Sequence, residues 1–191
     1  MTDVARNAAK SSVANKSGSG AAPRRGVTTL GIDPGTARMG WGLVRQEGNR
    51  LQYLRHGTIT TSSDWVMARR LDHLHREVSE LVRSFRPDAV AIEELFFNTN
   101  VTTAVTVGQA RGVAILAAYQ RGVEVFEYTP LQIKQAISSY GRADKKQVQE
   151  MVRALLGLKE VPRPDDAADG LAIAVCHSFS ARMNNKTTVG K

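Results

Sequence analysis

Apolar and polar residues near the start of the chain follow a pattern that predicts a β-meander. A short apolar run covers Val27–Asp33 and ends at a Pro-Gly-Thr turn at 34–36. Trp41 and Leu43 indicate a second strand, and the alternation of apolar and polar residues over 51–59 indicates a third. The three segments follow one another closely, so we expect them to pair as neighbours in one sheet.

The pattern then changes to helical spacing. Asp64 is predicted to cap a helix that ends before Pro87. The apolar residues that recur with helical spacing between them are Leu71, Leu74, Val78, Leu81, Val82 and Phe85. A compact apolar strand at 89–92 comes next and ends in Glu93 and Glu94.

One more strand and further helices complete the pattern. A helix rich in Ala and Gly is predicted over 101–119, and a strand over 123–128. The last helix is predicted to begin at Asp165 or Asp166 and to run to about Ser180. Strands that alternate with helices indicate an α/β fold with a mixed five-stranded sheet flanked by helices.

Two helices between this last strand and the final helix have clear start signals. Thr129 to Gln132 has the pattern of a capping box, with a proline at the first helical position. Asp144 to Gln147 repeats the capping pattern, and Gly157 is placed to end that helix.

Basic charge is concentrated at the two ends of the 191-residue chain. The formal net charge is +8, of which residues 1–26 contribute +4 and residues 180–191 contribute +3. Neither end shows apolar periodicity, so we predict a disordered basic arm and a disordered basic tail around one domain at 27–179. Such ends attract polyanions or are simply solvated, so charge alone does not establish a nucleic-acid partner.

Several other classes of protein are disfavoured. No apolar run approaches the roughly 18 residues of a membrane span, so no membrane association is expected. The N-terminus lacks the apolar segment of a signal peptide. Cys176 is the single cysteine, which excludes an internal disulfide and favours a reducing, cytoplasmic location.

Four carboxylates stand where predicted strands end or a predicted helix begins. Asp33 ends the first strand and Glu93 the fourth, while Asp166 and Asp169 share one face of the last helix. If the first and fourth strands are neighbours, Asp33 lies beside Glu93 at a strand end, where ligand sites form in such sheets. Clustered carboxylates need a positive charge between them, and Mg²⁺ prefers oxygen ligands. Two such ions promote phosphodiester hydrolysis.

Each acid also has a purely structural explanation. Asp33 precedes Pro-Gly and can serve as a turn former. Asp166 and Asp169 can simply match the dipole at a helix start. A charge is less expected at Glu93, which ends an apolar run. Because each acid alone can be structural, a site shared by all four is stronger evidence for function than any one of them.

The same residues lie in segments that resemble the RuvC family of Holliday junction resolvases. The similarity spans about 29–177. The segments that resemble the family are Gly-Ile-Asp-Pro-Gly-Thr at 31–36, Ala-Ile-Glu-Glu-Leu-Phe at 91–96, Gly-Gln-Ala-Arg-Gly-Val-Ala at 108–114, Lys-Gln at 134–135, Lys-Lys-Gln-Val-Gln at 145–149 and Asp-Ala-Ala-Asp-Gly-Leu-Ala at 166–172.

The resemblance implies an RNase H-like fold and a homodimer that resolves four-way DNA junctions by paired nicks. It assigns catalysis and the binding of Mg²⁺ or Mn²⁺, two ions per site, to the four acids named above. It implies phosphate contacts for Lys134 and Lys145 and a wedge role for Phe96 in the junction centre. A branch-migration motor of the RuvA and RuvB type is the implied partner complex.

Physical considerations bear on the same residues. Arg142 and Lys146 lie beside Lys145, and together these cations can neutralise phosphates or form a solvated face. Phe96 can stack on an unpaired base or pack in the core. Two departures from the family pattern stand out: Glu94 follows Glu93 where many relatives have Gln, and Asp165 precedes Asp166, which blurs the register of the final acids.

The sequence leaves two alternative functions and one question of helix packing open. Asp33-Pro34-Gly35-Thr36 also fits the phosphate loop of an ATP-dependent phosphotransferase of the actin and sugar-kinase type, although such enzymes need two large domains. A non-catalytic junction-binding module is a second alternative. The small residues of the 101–119 helix, including Gly108 and Gly112, fit either packing within one protomer or a dimer seam.

Overall fold

The structure is a computed structural model that describes residues 26–94, 101–138 and 141–188, with backbone only at 101–103 and 182–188. The elements of the described chain, in order, are β1 (Val27–Asp33), β2 (Arg38–Glu47), β3 (Arg50–Thr60), α1 (Met67–Phe85), β4 (Ala89–Glu93), α2 (Val101–Gln120), β5 (Glu124–Tyr128), α3 (Pro130–Ser138), α4 (Lys145–Leu155) and α5 (Asp165–Thr188).

The strands form one mixed sheet in the order β3-β2-β1-β4-β5. The β1, β2 and β3 strands are antiparallel, which confirms the predicted meander. The β4 strand pairs in parallel with β1, and β5 pairs in parallel with β4. Ile32 lies opposite Ile92, so β1 and β4 end side by side at Asp33 and Glu93. The predicted mixed sheet flanked by helices is confirmed.

Each face of the sheet is covered by its own set of helices. Leu30 and Ile32 of β1 pack in a core with α1 and α2 on one face. Ala91 of β4 packs on the other face, in a core with α3, α4 and α5. Successive strand residues point to opposite faces. Asp33 and Glu93 therefore share the α5 side of the sheet with Gly31 and Ala91.

Helix α5 lies almost backbone to backbone on β1 and β2. A Cβ atom built on Gly40 would stand 1.8 Å from the carbonyl oxygen of Asp166, and one on Gly170 would stand 2.6 Å from the Cα of Trp41. Only glycine permits such an approach at these two positions. Because Gly40 is paired with Asp33 across the sheet, this contact brings the first turn of α5 beside the end of β1.

The predicted cap of α1 is wrong. The helix begins at Met67 with Val66 in the cap position, and no side chain caps it. Asp64 instead belongs to a turn before the helix, where its backbone N–H donates to Ser62 Oγ at 3.2 Å. Trp65, which follows, lies under the Arg69 guanidinium, 4.2 Å from its ring centre. These local contacts hold Asp64 outside the helix.

The final helix is longer than predicted. It continues to Thr188, so residues 181–188 are helical where an irregular tail was expected. No Pro or Gly occurs between Gly170 and Gly190, and Ala181, Arg182 and Met183 favour helix. Local propensity therefore continues the helix after its buried part ends.

The predicted capping boxes of the two short helices are confirmed. Thr129 and Gln132 exchange side chain to backbone hydrogen bonds at the start of α3. Asp144 and Gln147 do the same for α4, which ends before Gly157 with its φ of 64°. Among the described residues, no helix has the length and apolar content needed to cross a membrane.

Candidate active site

Four carboxylates from three elements converge at one edge of the sheet. Asp33 and Glu93 end the adjacent strands β1 and β4. Asp166 and Asp169 lie in the first turns of α5, which Gly40 brings close to Asp33. The predicted convergence of these side chains on one site agrees with this arrangement.

The electrostatics of the cluster show how close the acids are. Burial raises the pKa of Asp33 to about 8, and repulsion from Glu93, Asp169 and Asp166 adds to the rise, while Lys145 opposes it. Burial, followed by repulsion from Asp169, also raises the pKa of Glu93. Burial raises the pKa of Asp169, against a hydrogen bond from Lys145. The cluster is therefore short of positive charge.

Two cationic side chains pair with the acids of α5. Lys145 Nζ donates to Asp169 Oδ2 at 2.8 Å, and this bond raises the pKa of the Lys145 ammonium. Arg38 Nε lies 3.6 Å from Asp166 Oδ2. Lys134 is near enough to Glu93 to oppose the rise in the pKa of that carboxyl group. Cations from β2, α3 and α4 thus surround the acids.

A cavity of about 270 Å³ opens beside the cluster between β4 and α3, α4 and α5. Glu93, Asp169, Lys134 and Lys145 form its polar side, and its opposite wall is apolar, with Ile133 among its residues. A second, more open depression lies on the Asp166 side of Lys145, between Arg38 and Arg163. Lys145 borders both depressions, so cationic side chains lie on either side of the acids.

The other predicted DNA contacts fall in different places. Arg142 and Lys146 are exposed near the start of α4 but do not line either depression. Phe96 lies outside the described residues. Glu94 is half-buried, and its backbone N–H donates to the Tyr128 carbonyl at 2.8 Å, which joins the ends of β4 and β5.

Asp165 does not cap the final helix. The carbonyl of Pro164 accepts the first helical bonds, from the N–H groups of Ala167 and Ala168, so Asp165 already lies inside the first turn. Its carboxylate accepts a hydrogen bond from Arg163 Nη1 at 3.1 Å. Asp166 is among the carboxylates that raise the pKa of Asp33, whereas both Asp165 and Asp166 add to the rise in the pKa of Asp169. The pairing of Asp165 with Arg163 and the effect of Asp166 on Asp33 favour the register that uses Asp166.

Three arginines at the site were not singled out from the sequence. Arg38 and Arg163 border the second depression, and Arg111 contacts the end of β4. A signal existed for Arg38, which follows the Pro-Gly-Thr turn after Asp33. Arg111 lies in one of the segments that resemble the resolvases, but its position along α2 gave no indication of its contact.

The donor chemistry of the cluster fits a hard divalent cation. All four candidate ligands are carboxylates, and their mutual repulsion is what a bound cation relieves. Within the described residues, no three His, Cys, Asp or Glu side chains already form a closed metal-binding group. Asp169 and Asp166 instead contact Lys145 and Arg38.

Comparison with known proteins gives consistent matches. A family model described as crossover junction endodeoxyribonuclease RuvC matches residues 29–177, which include all four acids. A protein of that description from Rubrobacter xylanophilus is 76% identical over 162 residues, 85% of this chain and 90% of the relative. Thermus thermophilus RuvC matches with a TM-score of 0.78 and 43% identity, covering 83% of this chain and 97% of that one. T. thermophilus RuvC in complex with Holliday junction substrate matches at 0.75 and 41%, covering 82% and 96%.

Proposed function

The chain belongs to the RuvC family of crossover junction endodeoxyribonucleases, and from this premise we propose that Asp33, Glu93, Asp166 and Asp169 cleave DNA with a bound divalent metal. The protein is a nuclease with an RNase H-like fold that resolves Holliday junctions in recombination and repair. The ATP-dependent phosphotransferase and the non-catalytic module are therefore set aside.

The observation that supports the catalytic assignment is the convergence of four acids whose shared charge is uncompensated. The pKa of Asp33 near 8 records that deficit of positive charge. Bound Mg²⁺ or Mn²⁺, one ion or two, would supply an activated water and stabilise charge on the phosphate. Asp33 and Glu93 would hold the metal from the sheet, and Asp166 and Asp169 from α5.

The lysines have a complementary role toward the substrate. Lys134 and Lys145 border the cavity on the Glu93 side, where they can neutralise the phosphates next to the one being cut. Arg38 and Arg163 are placed to do the same on the Asp166 side. Arg142 and Lys146, which are exposed at α4, would contact DNA farther from the acids.

Amide substitution tests the catalytic assignment. Asp33→Asn, Glu93→Gln and Asp169→Asn should each reduce cleavage of a synthetic four-way junction by at least about 100-fold, because each loses metal-binding charge. Junction affinity in the absence of divalent metal should stay within a few-fold. Asp72→Asn, which removes an exposed acid of α1 paired with Arg76, is the matched control and should cut normally. Near-normal cleavage by any of the three amides would remove that acid from the site.

A homodimer fits both the substrate and the outer face of α2. A four-way junction has two equivalent strands, so a two-fold dimer places one active site on each. Ala110, Ala114 and Ala117 of α2 are buried within the protomer. Val105, Leu116 and Tyr119 on the other side of the helix are 54%, 48% and 77% exposed, and Gly112 between them has open space above it. We propose this outer face as the dimer seam.

Further parts of the proposal rest on the family alone. Phe96 would wedge into the junction centre, and a branch-migration motor of the RuvA and RuvB type would deliver the junction. The cytoplasm is the proposed location, since DNA is the substrate and the single cysteine is a buried free thiol.

A further inference from the structure

Arg111 of α2 makes two contacts at the end of the central strands. Its Nε donates to the backbone carbonyl oxygen of Glu93 at 3.3 Å. Its Nη2 forms an ion pair with the carboxylate of Glu127 on β5. The Arg111 side chain is only 19% exposed, so the guanidinium is enclosed between the helix and the sheet.

These contacts approach Glu93 from the side opposite its carboxylate. Val90 and Ile92 of β4 point toward α1 and α2, whereas Ala91 points toward α5. The Glu93 side chain shares the α5 side with Ala91 and lies within electrostatic reach of Asp169 and Lys145. Arg111 reaches the Glu93 carbonyl from the α2 side, so it does not occupy the space of a metal ion or a phosphate.

The end of β4 is also joined to the neighbouring strand β5. Glu93 is the last residue of the strand, and the Glu94 N–H to Tyr128 carbonyl bond ties it to β5. A guanidinium with several donors in one plane can hold a carbonyl and a carboxylate at once. Arg111 thereby links β4, β5 and α2 at the point where a catalytic acid stands.

We propose that Arg111 is a positioning residue for Glu93. By holding the Glu93 carbonyl against the Glu127 carboxylate, it sets the direction in which the Glu93 side chain leaves the strand toward the metal. This inference rests on the proposed role of Glu93 as a metal ligand. Residues that orient a metal ligand typically change metal affinity by roughly 10–100-fold when removed.

Metal binding to the free protein is the main test. Mn²⁺ affinity is measured by calorimetry for the wild type, Arg111→Gln, Arg111→Lys and Glu127→Gln. We expect Arg111→Gln to bind Mn²⁺ about 10-fold more weakly, and Arg111→Lys to recover part of the loss because it keeps the charge but only one donor group. Glu127→Gln should give an intermediate loss, since Arg111 then lacks its anchor.

Two further measurements separate positioning from other roles. Junction affinity without divalent metal should not change in Arg111→Gln, and single-turnover cleavage should fall at limiting Mg²⁺ and recover partly at high Mg²⁺. Arg83→Gln, which breaks the exposed Arg83–Glu80 pair on α1, is the matched control and should leave metal affinity unchanged. If Arg111→Gln does not fold, Glu127→Gln provides the same test.

Several results would overturn the inference. Normal Mn²⁺ affinity with a lower melting temperature would make Arg111 a structural residue only. Weaker junction binding with normal Mn²⁺ affinity would make it a DNA contact. Glu93→Gln distinguishes these results from a failure of the proposed function. If Glu93→Gln binds Mn²⁺ and cuts normally, Glu93 is not a metal ligand and the proposed function fails at this residue. If Glu93→Gln loses Mn²⁺ binding while Arg111→Gln binds Mn²⁺ normally, only the Arg111 inference is overturned.

Discussion

At the scale of single residues, Asp33 is a buried acid whose charge opposes the stability of the fold. Its carboxyl group is buried beside three other acids, so ionisation costs free energy in the folded protein that it does not cost in the unfolded chain. The folded pKa of about 8 lies above the ordinary value of 3.8. Such an acid stabilises the fold only while it is protonated, and its contribution declines as pH rises between these two values.

Asp33→Asn should therefore stabilise the protein in the presence of EDTA. The gain in the free energy of unfolding should be absent near pH 4, grow as pH rises, and level off above pH 8, at about 1.4 kcal/mol for each unit by which folding raises the Asp33 pKa. Denaturant unfolding across this pH range measures it, with the exposed Asp72→Asn as control. A gain that is independent of pH, or a loss at pH 8, would contradict the raised pKa of Asp33.

Asp165 and Asp166 are adjacent but have different surroundings. Asp165→Asn removes an exposed ion pair with Arg163, which is worth about 0–1 kcal/mol, and should keep most of the cleavage. Asp166→Asn should keep the fold but lose cleavage, because a neutral amide is a poor ligand for a hard cation. Melting curves and junction cleavage of the two variants provide the comparison. The reverse pattern would show that Asp165 is the ligand.

At the scale of elements, the contact of α5 with β1 and β2 determines where two of the four acids stand. The helix carries Asp166 and Asp169, and its first turn rests against Gly40. A small displacement of α5 would separate its carboxylates from Asp33 and Glu93.

Gly40→Ala should impair both stability and cleavage. The new Cβ would stand 1.8 Å from the Asp166 carbonyl oxygen, so the backbone of α5 must move. Overpacking of this kind costs about 1–3 kcal/mol, and we expect cleavage to fall by at least about 10-fold even well below the melting temperature. Thermal unfolding and single-turnover cleavage at low temperature measure the two effects. Normal cleavage by folded Gly40→Ala would show that the site tolerates movement of α5.

At the scale of the whole molecule, the two hydrophobic cores lie on opposite faces of the sheet and support different surfaces. The core under α1 and α2 contains large aliphatic side chains, and its outer helix α2 presents an apolar face to solvent. The core under α3, α4 and α5 supports the acids and the lysines. Arg111 links the α2 side of the sheet to the site, because it extends from α2 to the strand end that carries Glu93.

Leu116→Glu tests the proposed dimer seam. A charge on the outer face of α2 should convert a dimer at micromolar concentration to a monomer, because it would be buried without a partner. The monomer should fold normally, since Leu116 is 48% exposed, and it should lose paired nicking. Sedimentation measures the oligomeric state. An exposed leucine elsewhere, Leu131 of α3, provides the matched control as Leu131→Glu.

The sequence by itself determined most of the elements, and it indicated the residue types from which the candidate site is built. Strand alternation, helical spacing and the capping boxes at Thr129 and Asp144 act over a few residues, so their outcomes can be predicted without knowledge of the fold. The segments around Asp33, Glu93 and Asp169 indicated the family for a similar reason, because each is a short run of consecutive residues that can be compared without knowledge of the fold. The predicted helix cap at Asp64 failed, because its backbone N–H bonds to Ser62 in a turn that precedes the helix.

Only the tertiary structure decided the properties that depend on distance between remote elements. The raised pKa of Asp33 requires β4 and α5 beside β1, and the Lys145–Asp169 bond requires α4 against α5. Arg111 lies 18 residues from the carbonyl that it contacts, and helical and strand periodicities predict no contact over such a separation. Burial and charge interactions act through space, so the sequence gives the chemical groups that are present, and only the folded structure gives the pairs that come into contact.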